Sequence, residues 1–401
     1  MKSLFSIDLD IIKYIKLRRK FHQIPEIGYK EFKTKALILE TLKGITNYES
    51  NSKTYEVEAT GLYIDIFGKG KRMKDYKEDK YLIALRADID GLPFKEESDF
   101  EYKSKHEGMI HGCGHDGHIT ILLATIEYYL NNLDKVPENF GVRFLFQPAE
   151  EGLNGAVQMI KAGCLKGVSE IYGLHNLTTF KLGEIGVIPG TIMARIDVFR
   201  IDINGKGGHS STPHKCCSPI NTGAQIITAI NQIPSQEIDS KDRCAIGLGC
   251  FSAGETFNVI PDKGVIKGTI RSVTDDVGDK IFNRITEVSQ SIGALNKCKV
   301  EVVNQLSTIS TVNHKEPTEL VERLAEKYFK IETHDLPLMA SEDFSYYLKE
   351  VPGCFFMLGG WDESHKEYVH TSKYDFNDLS IPYGVEMFIR IVEEKASINL
   401  I

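Results

Sequence analysis

An α/β fold in two parts is predicted, a body with a mainly parallel sheet interrupted by a smaller inserted domain. Three observations predict it. Short apolar runs at 81–85, 142–146, 170–174 and 354–358 alternate with helical patterns, and buried strands alternating with helices build parallel sheets. From about 194 to 311 the pattern changes to strands and long helices in the order β-α-β-β-α-β, the ferredoxin-like order of a self-contained small domain. The first pattern then resumes near Pro317. The body is therefore expected at 1–190 with 310–401, and the insert at 191–309. A chain of 401 residues is long enough for two or three domains of about 150 residues.

Each element has its own signal. Leu9, Ile11, Ile12, Ile15 and Leu17 fall at helical spacing between Ser6, a candidate N-cap, and His22. Ile24-Pro25-Glu26-Ile27-Gly28 breaks that helix, and a second covers 31–42. In the insert, an alternating strand at 195–203 is followed by a glycine-rich turn and a helix over 219–233. Strands at 244–251 and 265–271, a helix at 276–292 and a strand near Val300 complete it. The charged segment 69–80 reads as a solvated surface loop.

Composition narrows the function. With 42% apolar and 26% charged residues the chain can bury sizeable cores. A net charge of −8 without a basic tract argues against nucleic acid as a partner. Acidic residues interrupt the N-terminal segment at once, so no signal peptide is read, and no run is apolar enough to span a bilayer. Eight cysteines, scattered apart from Cys216-Cys217, fit reduced thiols in a cytoplasmic protein better than a disulfide framework.

Ligand-type residues follow the strands. The run 81–85 leads into Arg86-Ala87-Asp88-Ile89-Asp90, 142–146 into Gln147-Pro148-Ala149-Glu150-Glu151, and 170–174 ends at His175. His370 follows the apolar pair Tyr368-Val369. In open α/β sheets, sites form at the carboxyl ends of strands. The densest segment is His111-Gly112-Cys113-Gly114-His115-Asp116-Gly117-His118, opening a helix. Its glycines let the backbone turn so that thiolate and imidazole face one way, and a helix N-terminus favours a thiolate. Surface histidines on a glycine-rich loop are the plain alternative, and an exposed acidic pair is the plain alternative for Glu150-Glu151. Strand context favours metal for both. One of the two glutamates would bind metal and the other would take a proton from water.

These residues resemble the aminoacylase/carboxypeptidase-type metallohydrolases, in the branch of hippurate hydrolases and auxin-conjugate amidohydrolases. The resemblance covers nearly the whole chain. It includes Arg18 to Glu26, Arg86 to Pro93, His111 to His118, Gln147 to Gly152, Gly173-Leu174-His175 and Gly205 to Ser211. Asn258-Val259-Ile260-Pro261, Ser341-Glu342-Asp343-Phe344 and His370-Thr371 complete it. It implies a catalytic body of zinc-exopeptidase type and an insert that serves as a dimerisation or lid domain. It also implies that Cys113 bridges two divalent ions, completed by His115, Glu151, His175 and His370, with Glu150 as general base. Five ligands exceed one closed tetrahedral site but suit two metals sharing a thiolate. Their mixed donors accept Zn or Mn first, and Co or Ni. His209 resembles the family's oxyanion-binding group, presented to the neighbouring subunit of a homodimer. Asn258 and Arg271 resemble its contacts to the substrate carboxylate. For His209 a turn histidine, and for Arg271 a surface strand residue, are the plain alternatives. One departure is local: Ser218 stands where relatives usually carry Asp, which bears on the order of the loop holding His209.

The activity implied is hydrolysis of N-acyl amino acids to a carboxylate and a free amino acid. A dipeptidase or carboxypeptidase on the same two-metal site is the alternative within enzymes. A metal-binding sensor would lack the base, and Glu150 is present.

Overall fold

The computed structural model describes residues 7–72 and 81–401, so Ser6 and most of the 69–80 segment lie outside it. The chain divides into two compact units. One comprises residues up to Ile192 with Val312–Leu336 and Asp343–Ile401, and the other Met193–Thr311 with Pro337–Glu342.

The first unit is built on an eight-stranded sheet. Its order is Ser52–Glu56, Leu62–Phe67, Phe140–Gln147, Tyr81–Asp88, Glu170–Lys181, Gly353–Trp361, Glu184–Gly186 and Lys330–Ile331. The four strands expected from apolar runs are its centre, and they are mutually parallel. Phe140–Gln147 is buried along its whole length, as a strand covered on both faces must be. Leu62–Phe67 pairs antiparallel to it, and the sequence hid this strand behind a charge. Asp65 lies opposite Arg143 in that register and accepts two of its guanidinium bonds, at 2.6 and 2.7 Å. A charge in mid-strand reads as a loop until its cross-strand partner is known.

The N-terminal helix is Ile11–His22. Its cap is Asp10, whose carboxylate accepts the Lys13 N–H at 3.2 Å, and not Ser6. The second helix is Phe32–Lys43, with Glu31 at its N-cap position. Helix His115–Asn131 is buried nearly all round, which marks a central element rather than an amphipathic surface one. It packs against Tyr81–Asp88, Ile11–His22 and the C-terminal helix Ser380–Ala396.

The second unit carries the β-α-β-β-α-β order. Its strands are Arg195–Asn204, Cys244–Ser252, Lys263–Ser272 and Lys299–Thr308, and its long helices are Pro219–Ile230 and Asp275–Leu295. The sheet is antiparallel, with Lys263–Ser272 and Lys299–Thr308 flanking Arg195–Asn204, and Cys244–Ser252 at one edge. Phe199, Ile201, Ile203, Ile266 and Ile270 alternate along two strands to face Ile226, Ile230, Ile281 and Ile285 of the helices. The hexapeptide Pro337–Glu342 belongs here because Ala194 donates to the carbonyls of Leu338 and Ala340. Ser218 caps helix Pro219–Ile230, its hydroxyl accepting the Asn221 N–H at 3.4 Å. Serine and aspartate are comparable N-caps, so this part of the loop keeps its anchor. All eight cysteines are free.

Candidate metal centre

Cys113 sits on a turn whose geometry requires glycine. Gly114 has φ +88, and a Cβ there would lie 2.1 Å from Asn176 Oδ1. The next residue, His115, begins the buried helix. His115 donates Nδ1–H to the carbonyl of Asp90 at 2.9 Å. That assignment leaves the lone pair on Nε2, which is buried and has no hydrogen-bond partner. His175 is fixed in the same way, Nδ1–H donating to its neighbour's carbonyl, that of Asn176, at 2.7 Å. Its Nε2 then lies 3.3 Å from Cys113 Sγ. The strand does not end at His175. It runs on to Lys181 against Gly353–Trp361, while its pairing with Tyr81–Asp88 ends two residues before His175, at Gly173 opposite Arg86.

Glu150 and Glu151 follow strand Phe140–Gln147 through Ala149, which takes a left-handed φ of 56. Asp90 accepts the Glu150 N–H at 3.1 Å and the Glu151 N–H at 3.0 Å. Glu151 Oε1 lies 3.1 Å from His370 Nε2. His370 is not at a strand end as its position after Tyr368-Val369 suggested. It occupies a left-handed turn (φ 65) and donates its backbone N–H to Gly112 at 2.7 Å, which ties it to the cysteine turn.

Two donor triads result, Cys113 with His115 and His175, and Cys113 with Glu151 and His370. Within each, the donor atoms lie within 4.8 Å of one another, and Cys113 is common to both. Glu150 groups with His115 and Glu151 at the same spacing. Burial, then the carboxylates of Glu151, Glu150 and Asp88, push the Cys113 thiol well above its usual range. Burial opposes charge on His115, yet Asp88 and Asp90 outweigh it and raise the ring to about 10. Burial also works against Glu151, but His370 and His115 hold its carboxylate below the usual range. Burial, with His118 beside it, holds His175 well below. Carboxylates and a thiol in one buried pocket call for positive charge. A thiolate, three imidazoles and a carboxylate around an unpartnered His115 Nε2 fit a pair of borderline divalent ions.

The sequence reading named no role for the residues that hold these donors. His118 also lies near Asp88 and His115, but both its nitrogens are engaged. Nδ1–H donates to Asp88 at 2.7 Å and Nε2 accepts the Asn176 N–H at 3.0 Å. Arg86 reaches Asp88 at 2.7 Å, Gln147 at 2.9 Å and Asp343 at 3.1 Å, and Gln147 Nε2 donates to Asp343 at 2.9 Å. One buried network thus joins the Arg-Ala-Asp, Gln-Pro-Ala and Ser-Glu-Asp motifs. Their shared presence in the sequence was the available signal, and their mutual contact was not.

His209, Asn258 and Arg271 belong to the second unit. His209 is exposed and pairs with Val259, next to Asn258, in a two-residue antiparallel bridge. Its Nδ1 accepts the Ser211 N–H at 3.1 Å, so the neutral ring carries its proton on Nε2. Asn258 is exposed, its side-chain oxygen accepting from Thr256 at 3.2 Å. Arg271 is half-buried on Lys263–Ser272 and donates to Ser341 at 3.4 Å. No hydrogen bond joins Arg271 to the other two among the described residues.

The family described as peptidase family M20/M25/M40 matches residues 84–394. This chain belongs to that family. Thermostable carboxypeptidase 2 of Saccharolobus solfataricus is 38% identical over 355 residues, covering 87% of this chain and 86% of that one. N-acetyl-L-cysteine deacetylase of Bacillus subtilis is 36% identical over 348 residues, covering 86% and 80%. A solved structure from Bacillus subtilis, described as a dinuclear metal binding peptidase of the M20 family, is similar with a TM-score of 0.79. Its identity is 27%, with 97% of this chain and 99% of that chain covered. The M20 chain is thus an amide-bond hydrolase by descent, as its motifs implied.

Proposed function

We propose that this M20 hydrolase cleaves the amide bond of N-acyl amino acids on two divalent cations held by Cys113, His115, Glu151, His175 and His370. The observation that carries the proposal is the pair of donor triads sharing Cys113, with Glu150 beside them. Bound Zn or Mn ions would supply Lewis-acid polarisation of the scissile carbonyl and lower the pKa of water. Glu150 takes the proton from the attacking water at a carboxylate oxygen and returns it to the leaving nitrogen as the C–N bond breaks. Asp90 aims Glu150 by accepting its backbone N–H. The Nε2–H of His209 is the donor for the developing oxyanion, and Asn258 and Arg271 hold the substrate carboxylate.

The unit Met193–Thr311 is assigned to dimerisation and His209 to the partner subunit's site. Strand Cys244–Ser252 supports this, because it pairs on one side only within its sheet. A cytoplasmic location is part of this reading, and the eight free cysteines support it.

The carboxypeptidase relative favours a second reading, cleavage of a C-terminal peptide bond by the same groups. A panel of acetyl- and benzoyl-amino acids against dipeptides and blocked peptides separates the two. Turnover of the acyl-amino acids, lost on chelation and restored by Mn or Zn, is the expected result. Full activity after exhaustive chelation, or turnover of peptides alone, overturns the first reading.

A further inference from the structure

Glu31 is a buried carboxylate to which the hydrolytic reading gives no task. It is fully buried, and no lysine, arginine or histidine pairs with its carboxylate among the described residues. Although it stands at the N-cap position of helix Phe32–Lys43, its side chain makes no bond to that helix. It turns instead to a segment 118 residues away, where Oε1 accepts the backbone N–H of Ala149 at 2.9 Å. The hydroxyl of Thr60 donates to Oε2. Burying a carboxylate without a cation is costly, and its own ionisation records this. Burial, opposed by the Thr60 bond and aided by Asp90, pushes Glu31 up to about 7.

The segment it holds is strained. Ala149 has φ 56, a left-handed conformation that a residue with a Cβ adopts at a cost of about 1–2 kcal/mol. The next two N–H groups, of Glu150 and Glu151, both go to Asp90. Three consecutive amides therefore rest on two buried carboxylates from separate parts of the chain. A turn that leans on both is over-determined, as strained backbone at a working site must be.

We propose that Glu31 is a positioning residue for the Glu150–Glu151 pair. It clamps the Ala149 peptide and, with Asp90, sets the direction in which the two carboxylates leave the turn. This rests on the hydrolytic reading for its kinetic consequence, but not for its consequence for cation binding at Glu151.

The test compares Glu31→Gln, which keeps an acceptor for the Ala149 amide, with Glu31→Met, which fills the space without one. Glu31→Met should lower kcat about 10- to 100-fold with KM within about twofold. It should also weaken binding of one Mn²⁺ of the pair about 10- to 100-fold, the usual cost of losing a group that orients a ligand. Glu31→Gln should stay within about fivefold of wild type in both. Thermal melts identify the folded variants. Should Glu31→Met not fold, Glu31→Asp, too short to reach both partners, carries the same expectation. Wild-type-like kcat and Mn²⁺ affinity in the Met or Asp variant overturns the proposal, and so does a Gln variant as impaired as Met. An inactive wild type would count against the hydrolytic reading alone, because Mn²⁺ titration still reads the clamp.

Discussion

His175 and His209 both follow closely on glycines in the sequence, yet the fold treats them oppositely. His175 is buried, its Nδ1 tied to the carbonyl of its own neighbour and its Nε2 turned to Cys113. His209 is exposed on a two-residue strand, and its ring is held by Ser211, two positions on. A cation needs its donors fixed to within tenths of an ångström, and in the first unit His115 and His175 are each held by a backbone carbonyl, whereas the exposed ring of His370 is held by Glu151. The oxyanion role proposed for His209 needs only a presented Nε2–H, for which local contacts suffice.

The sharpest way to break this contrast is through Cys113, the donor common to both triads. Cys113→Ala should reduce bound metal from two ions toward none and abolish turnover, whereas His175→Ala should lose mainly one ion. Inductively coupled plasma analysis of the dialysed variants reads the difference. Equal loss in both would mean that the thiolate is not shared. His209→Ala should leave metal content unchanged and lower kcat about a hundredfold or more, as removal of an oxyanion donor does. Loss of metal in that variant would contradict the division of labour between the units.

A smaller effect distinguishes the interiors. Glu31 titrates near 7 in the folded state against 4.5 in its unperturbed form. The folded protein therefore binds the extra proton between those values, and stability falls as pH rises from about 4.5 to about 7 and is level above. Below 4.5 the group is protonated in both states and contributes nothing. The shift corresponds to roughly 3 kcal/mol at most. Urea unfolding of the metal-free protein at pH 5 and 8 should show Glu31→Gln gaining on wild type across that window. A constant difference between the two would refute it.

Much of this was legible in advance, and the reasons differ by element. The four central strands announced themselves because burial on both faces leaves nearly continuous apolar runs. The candidate donors were legible because glycine, cysteine and histidine crowd one helix start and because acidic residues follow strands. Leu62–Phe67 was not, since Asp65 is balanced by an Arg143 that is distant in sequence. Glu31 was invisible for a similar reason. Nothing near a glutamate at a helix start reveals that its carboxylate supports a peptide 118 positions later. The cap of the first helix, Asp10 rather than Ser6, was misread because apolar spacing locates a face and not an end.

The His370 turn has a consequence for how the protein comes into being. Its backbone bond to Gly112 and its place beside Glu151 connect the last fifth of the chain to the cysteine turn. Arg86 likewise waits for Asp343. On the ribosome, a nascent chain that has displayed Cys113, His115 and His175 still holds only one of the two triads. On the proposed ligand set, cation binding by the second triad therefore waits until His370 has been made, well after the residues of the first triad are in place.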